Sequence, residues 1–297
     1  MVMRTSDVAG LPLPSNLADR IESDQNPARY DWLQRLPGII ADLSRQWELA
    51  LGDPFQPGGA CAWVAPARTA RGERVVLKVG WLHSEAVGEP QVLRLWDGNG
   101  AVRLHAAETR ADTVAMLLEL CEPGTQLAEL PETEQDEVVC GLLRRLWQEP
   151  PAGHEFPSLE SMCANWAAEF EDDDVAVSRL DPGIMRAGLE LFRALPASAG
   201  RQVVLATDLH SQNILAARRE PWLAVDPKPH VGDPVYDVLQ HMVNCDRLIA
   251  DPVALARRLA DLLELDLERL LQWLFARCVQ DSAERPELAD VAARLAP

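Results

Sequence analysis

Long apolar runs are missing from this chain. No stretch nears the roughly 20 residues that cross a membrane, and MVMRTSDVAGLPLPSNLADR lacks the apolar centre of a signal peptide. The expectation is a cytoplasmic protein without a membrane partner. Cysteines are few and scattered: six, at positions 61, 121, 140, 163, 245 and 278, with no C-x-x-C pair. They read as buried free thiols in a reducing compartment. The six histidines show no H-E-x-x-H or comparable spacing, so a zinc site is not expected. G-x-x-x-x-G-K-[ST], G-x-S-x-G and G-x-G-x-x-G are all absent. That removes the P-loop, the hydrolase nucleophile elbow and the dinucleotide fold as first choices. Internal repeats and low-complexity tracts are also lacking.

Positive charge is in short supply. Lys and Arg number 28 against 46 Asp and Glu, a formal charge of −18. Such a surface repels nucleic acid and anionic lipid. It suits solubility first, and a cationic ligand second. What the chain does have is length and apolar content: 297 residues, 47% hydrophobic, enough to bury a substantial core in two lobes.

The first thirty residues are polar and dotted with proline, a lead-in whose packing is open. YDWLQRLPGIIADLSRQWEL has helical spacing at Trp32, Leu33, Leu36, Ile39, Ile40 and Leu43. ACAWVAPA and ERVVLKVG then read as short strands around a turn, and a charged helical stretch follows from about Ser84 to Trp96. VRLHAAE and TVAMLLEL look like two more strands. The strand signal stops at CEPGTQ, where Pro123 and Gly124 mark a linker. Beyond it the periodicity predicts helices at about 131–148, 158–171, 182–194, 235–244, 252–264, 266–280 and 286–295. Short β-like pieces interrupt them at 202–206, 214–217 and 222–225. The expected architecture is α+β and two-lobed, with a β-rich lobe over residues 1–120 and a helical lobe over 121–297.

TDLHSQNIL, residues 207–215, is a polar loop clasped by apolar runs. It holds Asp208 and Asn213 in a D-x-x-x-x-N spacing. Downstream, WLAVD should deliver Asp226 at the tip of a strand, and a hairpin between 214–217 and 222–225 would bring it to the loop. Asp and Asn are ordinary turn residues, and the pair alone does not distinguish a turn from a site. With a strand before it and a strand-ending Asp after it, the set suits phosphoryl transfer. Oxygen ligands hold Mg²⁺ on nucleotide phosphates while a second carboxylate orients a hydroxyl.

The first lobe offers a cation for those phosphates. VVLKV sets Lys78 in an apolar strand, where an unpaired ammonium is costly. Glu85 and Glu89 follow on the next helix. Pro90 is comfortable only in a first turn, which favours a helix opening at its mouth with Glu89 as the partner. Gly58-Gly59 forms a turn able to approach phosphates.

PGGACAWVAP, VVLKVGW, EPQVLRLWDGNGAVRLH, LLELCEPGTQL and DPKPHVGDPVYDVLQHMVNC stand in an order that resembles the aminoglycoside/hydroxyurea phosphotransferase family, streptomycin 6-phosphotransferases among them. The resemblance runs from about Gly52 to Cys245. It implies a protein-kinase-like fold, ATP and Mg²⁺ as cofactors, and O-phosphorylation of a cationic or polyhydroxylated small molecule. Within it Asp208 takes the base role, Asn213 and Asp226 the metal roles, and Lys78 the phosphate role with Glu89 as partner. Gly58 and Gly59 fall in the phosphate-facing turn, and Glu119 to Cys121 in the adenine-facing hinge. The family's usual His-Gly before the Asp and Pro-Gly before the Asn are replaced here by Ala206-Thr207 and Ser211-Gln212.

Asp233 and Asp237 in GDPVYD are expected to brace the loop rather than touch substrate, and EFEDDD at 169–174 to be a solvated helix end. Two functions remain: a small-molecule kinase acting on an aminoglycoside, hydroxyurea, a sugar or a metabolite, or a non-catalytic nucleotide-binding scaffold. No obligatory protein partner is evident.

Overall fold

Apolar alternation in the first part of the chain produces an antiparallel sheet. The computed structural model describes residues 7, 8, 10–24, 26–83, 87–173 and 180–297; Glu85 and Asp174 therefore lie outside the described residues. The chain divides into two compact units, Met1–Gly124 and Thr125–Pro297.

In the first unit, helix α1 (Ser15–Asp24) and helix α2 (Pro27–Gln46) precede strands β1 (Leu49–Leu51), β2 (Ala62–Thr69) and β3 (Arg74–Trp81). Helix α3 (Glu89–Trp96) and strands β4 (Leu104–Arg110) and β5 (Thr113–Glu119) follow. The sheet order is β1-β2-β3-β5-β4, antiparallel throughout, so β3 is its central strand. The apolar stripe of α2, including Trp32, Leu36, Ile40 and Leu43, packs against Trp63, Leu77, Val79 and Ala115 of the sheet. Each such side chain contributes roughly 1.5–3 kcal/mol on burial. The indole of Trp32 donates to Thr113 Oγ1 at 3.0 Å, which fixes the depth of the helix.

The lead-in belongs to this core. Leu13, Leu17 and Ile21 are buried in the same cluster, and the Asn26 side chain caps α2 by accepting from the Ala28 and Arg29 amides. The charged helix begins at Glu89 rather than near Ser84, with Pro90 in its first turn where its missing N–H costs nothing.

In the second unit the longer helices are α4 (Glu132–Leu146), α5 (Leu159–Glu171), α6 (Pro182–Ala194), α7 (Pro234–Val243), α8 (Pro252–Leu263), α9 (Leu267–Asp281) and α10 (Leu288–Leu295). Three of them start at an Asp-Pro pair. Asp181, Asp233 and Asp251 each accept a backbone amide of the first turn, and the proline that follows is preset for helix. Two small ladders sit among the helices. Strand β6 (Val203–Leu205) pairs with β9 (His230–Gly232), and β7 (Ile214–Ala216) pairs with β8 (Trp222–Ala224). Strand β9 has no counterpart in the sequence reading. It is short and flanked by Pro227, Pro229 and Pro234.

The six cysteines are free, and all but Cys61 are buried. Burial pushes the thiols of Cys140, Cys163, Cys245 and Cys278 up to about 12, which leaves them unreactive. Among the described residues no helix is long and apolar enough to cross a membrane.

Candidate active site

Lys78 lies midway along the central strand, opposite Val64 on one side and Met116 on the other. Its side chain is nearly buried, and Nζ donates to both carboxylate oxygens of Glu89, at 2.7 and 2.8 Å. Glu89 is itself 3% exposed. A buried ammonium and a buried carboxylate are each expensive alone, and this forked pairing offsets the cost of both. Because Glu89 opens α3, its charge also sits at the positive end of the helix.

The Gly58-Gly59 turn is held by the lead-in. Asn16 donates from its backbone to Pro57 O at 3.1 Å and from Nδ2 to Gly58 O at 2.8 Å. Gly58 has φ +70°, and a Cβ there would stand 2.5 Å from Pro14 Cβ, so a side chain is excluded on two grounds. Glu119 ends β5, where its amide and its carboxylate both engage the Arg103 backbone, at 2.9 and 3.0 Å. Cys121 is buried two residues on.

In the second unit the 206–213 loop leaves β6 and enters β7 through a single tight turn, Ser211–Asn213. Asn213 Nδ2 donates to Asp208 O at 3.0 Å and approaches its Oδ2 at 3.4 Å. With its nitrogen so engaged, Asn213 keeps its amide oxygen as an acceptor. The Val225 amide donates to Asn213 O at 2.9 Å, which brings Asp226 beside the loop at φ +54°. The β7–β8 hairpin therefore assembles Asp208, Asn213 and Asp226 in one place. Lys228 lies among them, its Nζ 3.2 Å from Asp226 Oδ2 and 3.7 Å from Asp208 Oδ2. His210 Nε2 stands 3.8 Å from Asp208 Oδ1. Burial lowers the His210 pKa, against the pull of the Asp208 charge, which favours a neutral imidazole.

The loop is braced from α7. The fully buried Asp237 accepts the Ala206 amide at 3.0 Å, the Thr207 amide at 2.6 Å and the Trp147 indole at 3.1 Å. Asp233 acts elsewhere: besides capping α7 it accepts from Arg269 at 2.5 Å and from Trp273 at 2.8 Å, fastening α7 to α9. Of the acidic run at 169–174, Glu171 pairs with Arg193 at 2.6 Å and Asp172 closes α5 at the surface.

Two neighbours of Asp208 carry no mark in the sequence. Lys228 sits between two prolines, and Gln240 reaches Asp208 Oδ1 at 2.9 Å from one turn beyond Asp237. Only the i, i+3 spacing from Asp237 could have placed Gln240 on the loop-facing side of its helix.

Hard oxygen donors, a buried lysine–glutamate pair and a braced acidic loop are the equipment of phosphoryl transfer. Comparison with known proteins agrees. The chain is 34% identical over 292 residues to a hydroxyurea phosphotransferase of Kitasatospora aureofaciens, covering 96% of this chain and 83% of that one. It is 33% identical over 282 residues to a streptomycin 6-kinase of Streptomyces griseus, covering 91% and 89%. In fold it is similar to the macrolide 2'-phosphotransferase of Brachybacterium faecium, with a TM-score of 0.56 at 16% identity over 88% of this chain and 97% of that one. Residues 50–287 match the family described as aminoglycoside/hydroxyurea antibiotic resistance kinase, and the chain belongs to that family.

Proposed function

We propose that the protein transfers the terminal phosphoryl group of ATP to a hydroxyl of a streptomycin-like aminoglycoside. The observation that carries this reading is the joining of Asp208, Asn213 and Asp226 by the short β7–β8 hairpin. Asp208 accepts the proton of the attacking hydroxyl and points it at the phosphorus. A positioned base is worth about 10²–10⁴-fold. Lys78, oriented by Glu89, supplies a point charge for the α- and β-phosphates. In this reading the Gly58-Gly59 turn serves the phosphates and the 119–121 stretch the adenine.

The amide oxygen of Asn213 and the partly exposed carboxylate of Asp226 fit Mg²⁺, which takes one or two protein oxygens and keeps the rest for water and phosphate. Bound there, the ion would neutralise charge that builds on the phosphate oxygens. Lys228 Nζ lies 3.2 Å from Asp226 Oδ2.

The acidic surface supports a cationic acceptor, because carboxylates raise the local concentration of guanidinium or ammonium groups. A second acceptor, hydroxyurea, is supported by the similarity to the Kitasatospora enzyme. The soluble protein is expected to act in the cytoplasm.

The deciding experiment is consumption of ATP with Mg²⁺ in the presence of streptomycin, hydroxyurea or an uncharged cyclitol, in parent and Asp208→Ala proteins. Streptomycin-dependent turnover that collapses in the variant while ATP still binds is expected. Turnover of the variant within a few-fold of the parent removes Asp208 from the chemistry. An acceptor KM that ignores salt removes the cationic acceptor from the reading.

A further inference from the structure

We propose that Gln240 is a positioning residue that fixes the rotation of the Asp208 carboxylate, and that Arg277 dictates which way the Gln240 amide faces. The inference rests on Asp208 as the proton acceptor.

Helix α7 presents Asp237 and Gln240 three residues apart, on one face. Asp237 takes the backbone of the loop at Ala206 and Thr207. Gln240 takes the side chain: its Nε2 donates to Asp208 Oδ1 at 2.9 Å. One helix therefore sets both the path of the loop and the direction of its acid. A carboxylate is planar, so holding Oδ1 also aims Oδ2.

An amide can donate or accept, and its orientation needs a cause. Arg277 on α9 supplies it, because a guanidinium only donates. Its NH2 group lies 3.5 Å from Gln240 Oε1, leaving the amide nitrogen to face Asp208. Arg277 is itself held by several partners. Its Nε donates to Asp281 at 2.9 Å, its NH1 donates to the Tyr236 hydroxyl at 2.8 Å, and its plane lies over Trp166, 4.8 Å from the ring centroid. Asn213 Nδ2 lies 3.4 Å, Lys228 Nζ 3.7 Å and His210 Nε2 3.8 Å from oxygens of the same carboxylate. Gln240 orients the acid without cancelling its charge, which is what a base requires and what a lysine in that place would spoil.

Two near-isosteric variants separate this role from simple packing. Gln240→Glu keeps an oxygen toward Arg277 but sets a second carboxylate against Asp208 in place of the amide donor. Gln240→Leu keeps the volume and loses both bonds. Steady-state kinetics with MgATP and either streptomycin or hydroxyurea, alongside melting temperatures, should show kcat lowered in both by about 10–100-fold, the cost of a misaimed group. KM for ATP and for the acceptor should stay within about 3-fold. If Gln240→Glu keeps the parental kcat, Gln240 serves only to pack Arg277 and the proposal is wrong. A kcat loss matched by an equal loss of ATP binding would overturn it too. Should one variant fail to fold, the other decides. Asp208→Asn, run in parallel, keeps the two readings apart. An active Asp208→Asn removes the base itself, and an inactive one beside a fully active Gln240→Glu removes Gln240 alone.

Discussion

Asp237 Oδ1 accepts the amide of Thr207 at 2.6 Å, and that bond holds a β-branched residue at φ +49°. The left-handed region costs a residue with a Cβ about 1–2 kcal/mol, which is why glycine is the usual choice there. Thr207 adds its own anchor, donating from Oγ1 to Lys228 O at 2.5 Å. The replacement of glycine before Asp208 is thus offset by a hydroxyl that glycine lacks. Thr207→Val keeps the strain and the branching but drops that bond. It should lower stability by about 0.5–1.5 kcal/mol through the lost hydroxyl bond, while the Lys228 carbonyl keeps His230 Nδ1 at 3.0 Å. Thr207→Gly relieves the strain as it loses the bond and should unfold later in denaturant than Thr207→Val. A valine variant as stable as the parent would remove the compensation.

The same carboxylate makes the loop sensitive to pH. Burial pushes Asp237 up to about 6, against the three N–H donors that favour its charge. A raised acid binds its proton more tightly in the folded chain than in the unfolded one. Its contribution to stability therefore grows as pH falls from about 6 toward the ordinary carboxylate range, and it is unfavourable at neutral pH. Activity runs the other way, because the protonated carboxyl no longer serves the loop amides as a charged acceptor. Turnover should fall below about pH 6 while the melting temperature of the parent gains on that of Asp237→Asn. A melting difference that is flat between pH 4 and 7 rules this out.

The helices of the second unit were legible because apolar residues recur at helical spacing and Asp-Pro pairs mark several starts. The 206–213 loop was legible because an acid and a carboxamide lie between apolar runs too short to be helical. Strand β9 was not, since three residues among prolines carry no period. The lead-in had its signal in Leu13, Leu17 and Ile21, but their proline neighbours obscured it. For Gln240 the only signal was its i, i+3 spacing from Asp237, and for Lys228 there was none. Gln240 acquires its role from Asp208, 32 residues away, and Lys228 from Asp226 beside it and Asp208 across the hairpin.

Lys78 and Glu89 should prove separable in stability but not in catalysis. Lys78→Met leaves Glu89 as a buried carboxylate without its lysine, a change of the kind that costs roughly 3–5 kcal/mol. Adding Glu89→Gln removes that charge and should recover much of the stability. Neither the single nor the double variant regains the cation that nucleotide phosphates need, so the ATP KM should rise at least about 10-fold in both. Thermal melts and ATP titrations on the set of variants check this. Recovery of ATP affinity in the double variant would show that the pair is structural only.

The last prediction concerns Asp136, which is fully buried and gathers three cationic or potentially cationic donors. His241 Nε2 stands at 2.9 Å and Arg247 NH2 at 2.7 Å from Oδ1, and Arg258 Nε stands at 2.7 Å from Oδ2. Burial alone would raise the pKa of this carboxyl, but the bonds from His241, Arg247 and Arg258 outweigh it and hold the group well below the usual range. Asp136, His241 and Cys245 are close enough together to suggest a metal. Both oxygens of Asp136 are already engaged by guanidinium groups, whose charge opposes a divalent ion. The cluster therefore reads as a clamp that joins α4 to α7 and α8. A depressed acid contributes stability above its unfolded pKa and loses it as pH falls through the folded value, so the clamp should hold at neutral pH and weaken only below about pH 4. Asp136→Asn leaves the partly exposed Arg247 and Arg258 guanidinium groups facing a neutral amide. At neutral pH it should cost about 3–5 kcal/mol, on the order of 10 °C in melting temperature for a chain of this size. Below the melting range kcat should stay within a few-fold, because Asp136 acts on α7 and α8 through His241, Arg247 and Arg258. A chelator strong enough to strip zinc should leave the parental melting temperature unchanged. A large drop with chelator, restored by added zinc, would make the cluster a metal site instead.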